Sequence, residues 1–280
     1  MGPDNGALED WVGRVSEVED IVTPRLVASY RATLAGHLAE VEGNAAPLAV
    51  HWCLAPDIAE AAKLGPDGHP ARGRLLPPVP LPHRMWAGSD IRLVNSFTIG
   101  DTVRRRSTIT KVEEKHGRSG PLVFVTVRHE FGNCGECAIE EDQIIVYREA
   151  AGRDALASPA HPLPKAAPYE RKVEVDSVLL FRYSALTFNG HRIHYDLPYA
   201  TGAEHYPGLV IHGPLQATLL LNFAAVVHGR PPKNFSFRGT HPATGIQTLT
   251  LCATPAEEGA FALEVRSADG HVTTKATAQW

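Results

Sequence analysis

Two stretches of the chain concentrate side chains able to move protons. The first, Asn189-Gly190-His191-Arg192-Ile193-His194, follows a helix-like run and opens on a turn signal. The turn is expected to expose Asn189, His191 and His194 at the end of that helix. A histidine titrating near neutrality can take or give a proton. The second stretch, Pro207 to Ala217, is an apolar run that ends in His212-Gly213-Pro214 and enters a helix. Pro214 suits a first helical turn, where a missing N–H costs nothing. Gly213 allows a ligand close to the backbone. Its N–H sits at the positive end of the helix, where it can stabilise negative charge developing on a carbonyl oxygen.

Other chemistries find less support. His191, His194, His205 and His212 invite a metal reading, but no zinc motif with a helical histidine pair is present and no metal is expected. Cys134-Gly135-Glu136-Cys137 is a single CxxC in a turn between strands and reads as a pair of reduced turn cysteines. The glycine patterns of dinucleotide and phosphate loops are absent, as is the G-x-S-x-G of serine hydrolases.

The whole chain must then position these residues. Its 280 residues suffice for one large core or two ordinary ones, and 44% hydrophobic content excludes a wholly disordered chain. The 24 Gly and 22 Pro argue against a simple helix bundle. A net charge of −4, with Arg104-Arg105-Arg106 as the densest basic cluster, makes nucleic acid a poor partner. Four cysteines do not suggest a disulfide scaffold. The polar, acidic start is unlike a signal peptide, and the apolar run near residue 220 is too broken to span a bilayer. A soluble cytoplasmic protein with no membrane partner is expected.

Along the chain, Trp11 to Val18 reads as a lead-in. Thr23-Pro24 starts a helix to about Leu38, and a second helix is expected over Pro56–Leu64. The proline-rich run 75–82 cannot be a central strand and reads as an extended connection able to line a groove. From residue 90 the period becomes two, with strands over Thr102–Glu114, Leu122–Phe131 and Asp142–Tyr147. Residues 151–168 form a proline-rich linker. The second half offers a strand, a capped helix to about Ala185, an apolar helix Pro214–Val227, and four further strands. The halves match in element order, though no literal repeat is evident.

The run Ser184–Asp196, together with Pro207–Gln216, resembles the MaoC-like hydratase/dehydratase family in its double hot-dog branch. Arg84–Asp90, Gly117–Val125 and His129-Glu130 resemble the non-catalytic N-terminal domain of that branch. The resemblance implies an α+β fold of two hot-dog units, each a central helix wrapped by an antiparallel sheet. Residues 1–150 would form the N-terminal non-catalytic domain and 169–280 the catalytic one. It also implies a lyase that reversibly hydrates an α,β-enoyl thioester without a cofactor, CoA or acyl carrier protein being part of the substrate. His194 matches the family histidine, and Asn189 stands where single-domain relatives carry an aspartate. An amide cannot take a proton as a carboxylate does, so Asn189 is expected to orient the water and His194 to carry the proton. Gly213 matches the glycine whose N–H faces the thioester carbonyl.

Arg84, Arg182 and His212 are expected to bind substrate, the arginines through a carboxylate or CoA phosphates. A short carboxylated acyl group such as mesaconyl-C4-CoA is the favoured substrate. A dehydratase for longer chains, a hot-dog thioesterase and a non-catalytic acyl-CoA-binding module are the alternatives. Two modules can pair within one chain, and a homodimer of such chains is also compatible.

Overall fold

The computed structural model describes residues 8–117, 120–133, 136–149 and 165–280. Its ten strands are β1 (Val15–Ile21), β2 (His83–Leu93), β3 (Thr102–Gly117), β4 (Gly120–Asn133), β5 (Glu136–Arg148), β6 (Tyr169–Val175), β7 (Asn234–Gly239), β8 (Gln247–Pro255), β9 (Phe261–Arg266) and β10 (Val272–Gln279). The helices are α1 (Pro24–Thr33), α2 (Ser177–Leu186), α3 (Leu197–Gly202) and α4 (Gly213–His228).

All ten strands hydrogen-bond into one sheet in the order β1-β3-β4-β5-β2-β7-β10-β9-β8-β6. Read from either edge, the same pattern appears: first strand, third, fourth, fifth, second. The two halves therefore share a topology and meet where β2 pairs antiparallel with β7. Gly88 sits on that seam, where an added Cβ would lie 2.2 Å from the Phe237 carbonyl oxygen. A side chain there would force the modules apart.

The capped helices also repeat. Thr23 caps α1 by accepting from the Leu26 N–H, and Asp176 caps α2 by accepting from the Leu179 N–H. Seven residues after each cap stands a fully buried tyrosine, Tyr30 or Tyr183. Both phenols face Thr218 of α4, and Tyr183 Oη lies 3.1 Å from Thr218 Oγ1. A short repeat does exist in the sequence. Leu48-Ala49-Val50-His51-Trp52-Cys53-Leu54 and Leu209-Val210-Ile211-His212-Gly213-Pro214-Leu215 share Leu-x-[Val/Ile]-His-x-x-Leu.

The modules differ in their helices. Residues 215–225 of α4 are all buried; most are Leu, Ala or Phe, and the polar Gln216, Thr218 and Asn222 find hydrogen-bond partners inside the protein. Gly229, at a φ of 89°, ends the helix in the left-handed region. Among the described residues the first module shows no counterpart of α4. Val50–Cys53 is one turn of 3-10 helix, and the helix expected over Pro56–Leu64 is only a 3-10 turn at Ala61–Lys63. Residues 57–64 are mostly exposed, so no apolar face rewards a helix there. Likewise α1 stops at Thr33, and the expected lead-in holds an edge strand, β1. Strand β2 begins at His83, seven residues before the alternating pattern becomes obvious. The proline-rich run is extended, with Val79 and Leu81 buried. Of the expected linker, residues 151–164 lie outside the described ones.

Candidate active site

The site is built where α2 ends and α4 begins. Phe188 takes a left-handed φ of 51°, which lets the Asn189 N–H reach the Ser184 carbonyl at 2.8 Å and ends α2. A non-glycine residue in that region is strained and is held by its surroundings. The Asn189 side-chain oxygen accepts from the His191 N–H at 3.0 Å, closing a turn. This differs from the expected water-orienting role in one respect. The oxygen is occupied by backbone, which leaves the amide NH2 as the group Asn189 can offer.

The turn feeds a 3-10 segment, Arg192–His194, anchored by Arg192 donating to Asp196 at 2.7 and 2.9 Å. His194 is buried, and its Nδ1 lies 2.7 Å from the Val210 carbonyl oxygen. A carbonyl can only accept, so Nδ1 carries the proton and Nε2 of the neutral ring holds a lone pair. Burial, slightly opposed by that carbonyl, pulls His194 down to about 4. At neutral pH it is therefore an uncharged base.

His212 stacks on His194 with ring centroids 3.6 Å apart, and its Nε2 lies 2.8 Å from Ser184 Oγ. Burial, with help from His194 and His191, holds its imidazole well below the ordinary value. His212 is fully buried. It backs the His194 imidazole from a position closed to solvent, unlike the substrate-facing one expected. The next residue, Gly213, opens α4 with its N–H in the unpaired first turn. A Cβ there would find its nearest atom, the Trp86 carbonyl oxygen, at 3.9 Å. The protein thus leaves open space at this glycine.

The first module reaches into the same place. Residues 65–69 form a turn in which Gly68, at a φ of 86°, packs on Gly190, and a Cβ at Gly68 would lie 2.1 Å from the Gly190 carbonyl oxygen. The Arg192 N–H donates to the Asp67 carbonyl at 2.9 Å, and Arg192 Nη1 to the Pro66 carbonyl at 3.1 Å. His69 then stands beside His191, with ring centroids 4.2 Å apart, and its Nδ1 lies 3.1 Å from Asp67 Oδ2. Burial pushes the Asp67 carboxyl up, but the His69 hydrogen bonds and the Arg84 charge outweigh it, leaving a carboxylate below its usual range. His191 is held at about 2 by burial first, then by the neighbouring imidazoles of His69 and His194.

Sequence reasoning missed Asp67 and His69. Two glycines flanking Pro66-Asp67 were the available signal for a close approach. Asp67, His69 and His191 hold potential ligand atoms within 4.8 Å of one another. The Arg84 charge bears on all three. His205, grouped with the other histidines in sequence, takes a left-handed φ of 60° and lies outside this cluster.

Arg84 is half-buried on β2 and lines a cavity of about 570 Å3 in the first module, together with Trp86, Arg74 and Arg105. Arg182 does not join the site. It is exposed on α2 and makes no hydrogen bond or ion pair with another described residue. Cys53, Cys137 and Cys252 are free thiols, and Cys134 lies outside the described residues.

Comparison with known proteins decides the family. The model of hydroxyacyl-thioester dehydratase type 2 matches residues 49–245. This chain belongs to that family. It is 41% identical over 270 residues to the mesaconyl-C4-CoA hydratase of Chloroflexus aurantiacus, covering 96% of each chain. Among solved structures it is similar to a MaoC-like dehydratase at 15% identity, with a TM-score of 0.72 and coverage of 98% of this chain and all of that one. A Mycobacterium tuberculosis protein described as a double hot-dog matches at 12% identity and a TM-score of 0.56, over 96% of each chain. The fold is the tandem hot-dog, and the chain is a hydro-lyase of the hydratase/dehydratase type.

Proposed function

We propose that the protein hydrates a short, carboxylated α,β-enoyl-CoA thioester, mesaconyl-C4-CoA being the model substrate, and dehydrates the product in reverse. The likeness to the Chloroflexus hydratase supports the substrate class. The observation that carries the chemistry is His194, whose tautomer leaves Nε2 unprotonated beside the N-terminus of α4.

Conjugation with the thioester makes the β-carbon electrophilic. Water adds there as His194 Nε2 takes its proton, and the negative charge passes to the thioester oxygen. The Gly213 N–H, at the positive end of α4, stabilises that oxygen. The α-carbon then receives a proton, and the ring returns to its neutral form. Asn189 shapes the loop that presents His194 and offers its NH2 to the water. Arg84, whose charge bears on the cluster, offers a cation to a substrate anion. The first module binds and the second reacts, and nothing in the scheme requires more than one chain.

The direct test follows loss of the conjugated enoyl absorbance with mesaconyl-C4-CoA. His194→Ala should lose about 10³-fold in kcat. Unchanged turnover in that variant would remove His194 from the mechanism. Asn189→Asp can still close the turn to the His191 N–H but loses the NH2 offered to the water, so kcat should fall about tenfold, and an unchanged rate would remove that NH2 from the mechanism.

A further inference from the structure

The three consecutive arginines of β3 have separate fates. Arg104 and Arg106 are exposed. Arg105 points the other way, in register with Val103, Ser107 and Ile109, which are 0%, 1% and 0% exposed. A cation therefore occupies a row of core positions. Its Nε is sealed from solvent and has no hydrogen-bond partner. Burial pulls the guanidinium below its ordinary value, against the opposing pull of Asp57 and Glu141.

Neither acid satisfies it. Asp57 is paired with Arg74 at 3.0 Å. Glu141 accepts from Ser89 Oγ at 2.6 Å and Trp52 Nε1 at 3.0 Å, with His51 Nε2 at 3.6 Å. His129 engages Ser107 and Gln143. Arg105 is half-buried, and a guanidinium whose inner N–H is sealed from water without an acceptor favours an anionic partner in the cavity it faces.

Arg105 lines the 570 Å3 cavity of the first module, where no long helix packs on the sheet among the described residues. Trp86 and Arg84 line it as well. The Trp86 carbonyl faces Gly213, and the Arg84 charge bears on His191, so this wall of the cavity adjoins the reaction centre. We propose that the cavity is the acyl pocket and that Arg105 is its specificity-determining residue, pairing with a carboxylate carried by the acyl group. The inference rests on the enoyl-thioester reading and adds the residue that selects an anionic acyl group over a plain hydrocarbon one.

The test compares mesaconyl-C4-CoA with crotonyl-CoA, which lacks the carboxylate, in wild type, Arg105→Met and Arg105→Lys. In Arg105→Met, kcat/KM should fall about 100-fold for mesaconyl-C4-CoA and less than threefold for crotonyl-CoA. Arg105→Lys should recover part of the loss. Equal losses on both substrates, or no loss on either, would overturn the proposal.

A binding arm on wild type needs no variant to fold. Calorimetry with the unreactive methylsuccinyl-CoA and isovaleryl-CoA should show at least tenfold tighter binding of the carboxylated analogue, and equal affinities would refute an anion-selective pocket. If wild type hydrates neither enoyl-CoA while the analogue preference holds, the hydratase reading fails and the pocket assignment stands.

Discussion

The two modules carry the same short phrase and use it differently. In the second, Leu209–Leu215 delivers His212 behind the His194 imidazole and Gly213 to the start of a largely buried sixteen-residue helix. In the first, Leu48–Leu54 delivers His51 beside Glu141 and then Trp52, whose indole donates to that same carboxylate. A glycine exposes its N–H to a ligand, whereas a tryptophan covers the spot and packs against Trp86 and Phe237. The second module thus buries neutral imidazoles next to an open helix start. The first buries the Glu141 carboxylate among His51, Trp52 and Ser89, beside a cavity of about 570 Å3. In the proposed scheme, one residue type after a shared histidine goes with the difference between reacting and binding.

The comparison breaks most sharply at the histidines. Beside the thousandfold loss expected of His194→Ala, His51→Ala should cost less than tenfold in kcat and show itself as a lower melting temperature. Equal losses of kcat would mean that both modules handle protons. Next comes the residue after His212. Gly213→Ala should fold normally, since its methyl meets nothing closer than 3.9 Å, yet lose about 10- to 100-fold in kcat/KM because the methyl intrudes where the thioester oxygen approaches.

Gly68→Ala probes the contact between modules. Strain at a φ of 86° and a clash with the Gly190 carbonyl should lower stability by about 2 kcal/mol and activity by about tenfold. Chemical denaturation would give the first value and the enoyl assay the second.

A pH dependence separates the modules as well. His194 titrates near 4 in the fold and near 6.5 when unfolded, so the unfolded chain binds more protons between these values. His191 and His212 are depressed in the same direction. Stability should therefore be intact above pH 6.5 and fall steadily towards pH 4, while the acid limb of kcat/KM lies nearer 4 than 6.5. Urea titrations and rate profiles across that range would test both.

Much of the second module was legible because its physics is local. Leu and Ala crowd α4 on all sides, Gly213-Pro214 marks its start, and Asn189-Gly190 marks the turn before His194. The long strands β3 and β4 announced themselves by alternation, although β3 hid its most informative member. Three arginines in a row look like a basic surface cluster, and only pairing with β1 and β4 settles that the middle one faces inward. Asp67 and His69 were illegible for a similar reason. Their contacts lie more than 120 residues away, and no local pattern encodes a docking partner. The helix misread over Pro56–Leu64 had acceptable propensities and no core to pack on.

The seam at β2 and β7 has a consequence for how such a chain can change over time. Two separate copies of one hot-dog polypeptide must carry identical residues, so a substitution that opens a cavity in one opens it in both. Joined into one chain, each half is free to diverge while the sheet between them keeps its register. Specialisation is then cheap. The half with Trp52 could give up turnover and gain selectivity without any loss in the half with Gly213.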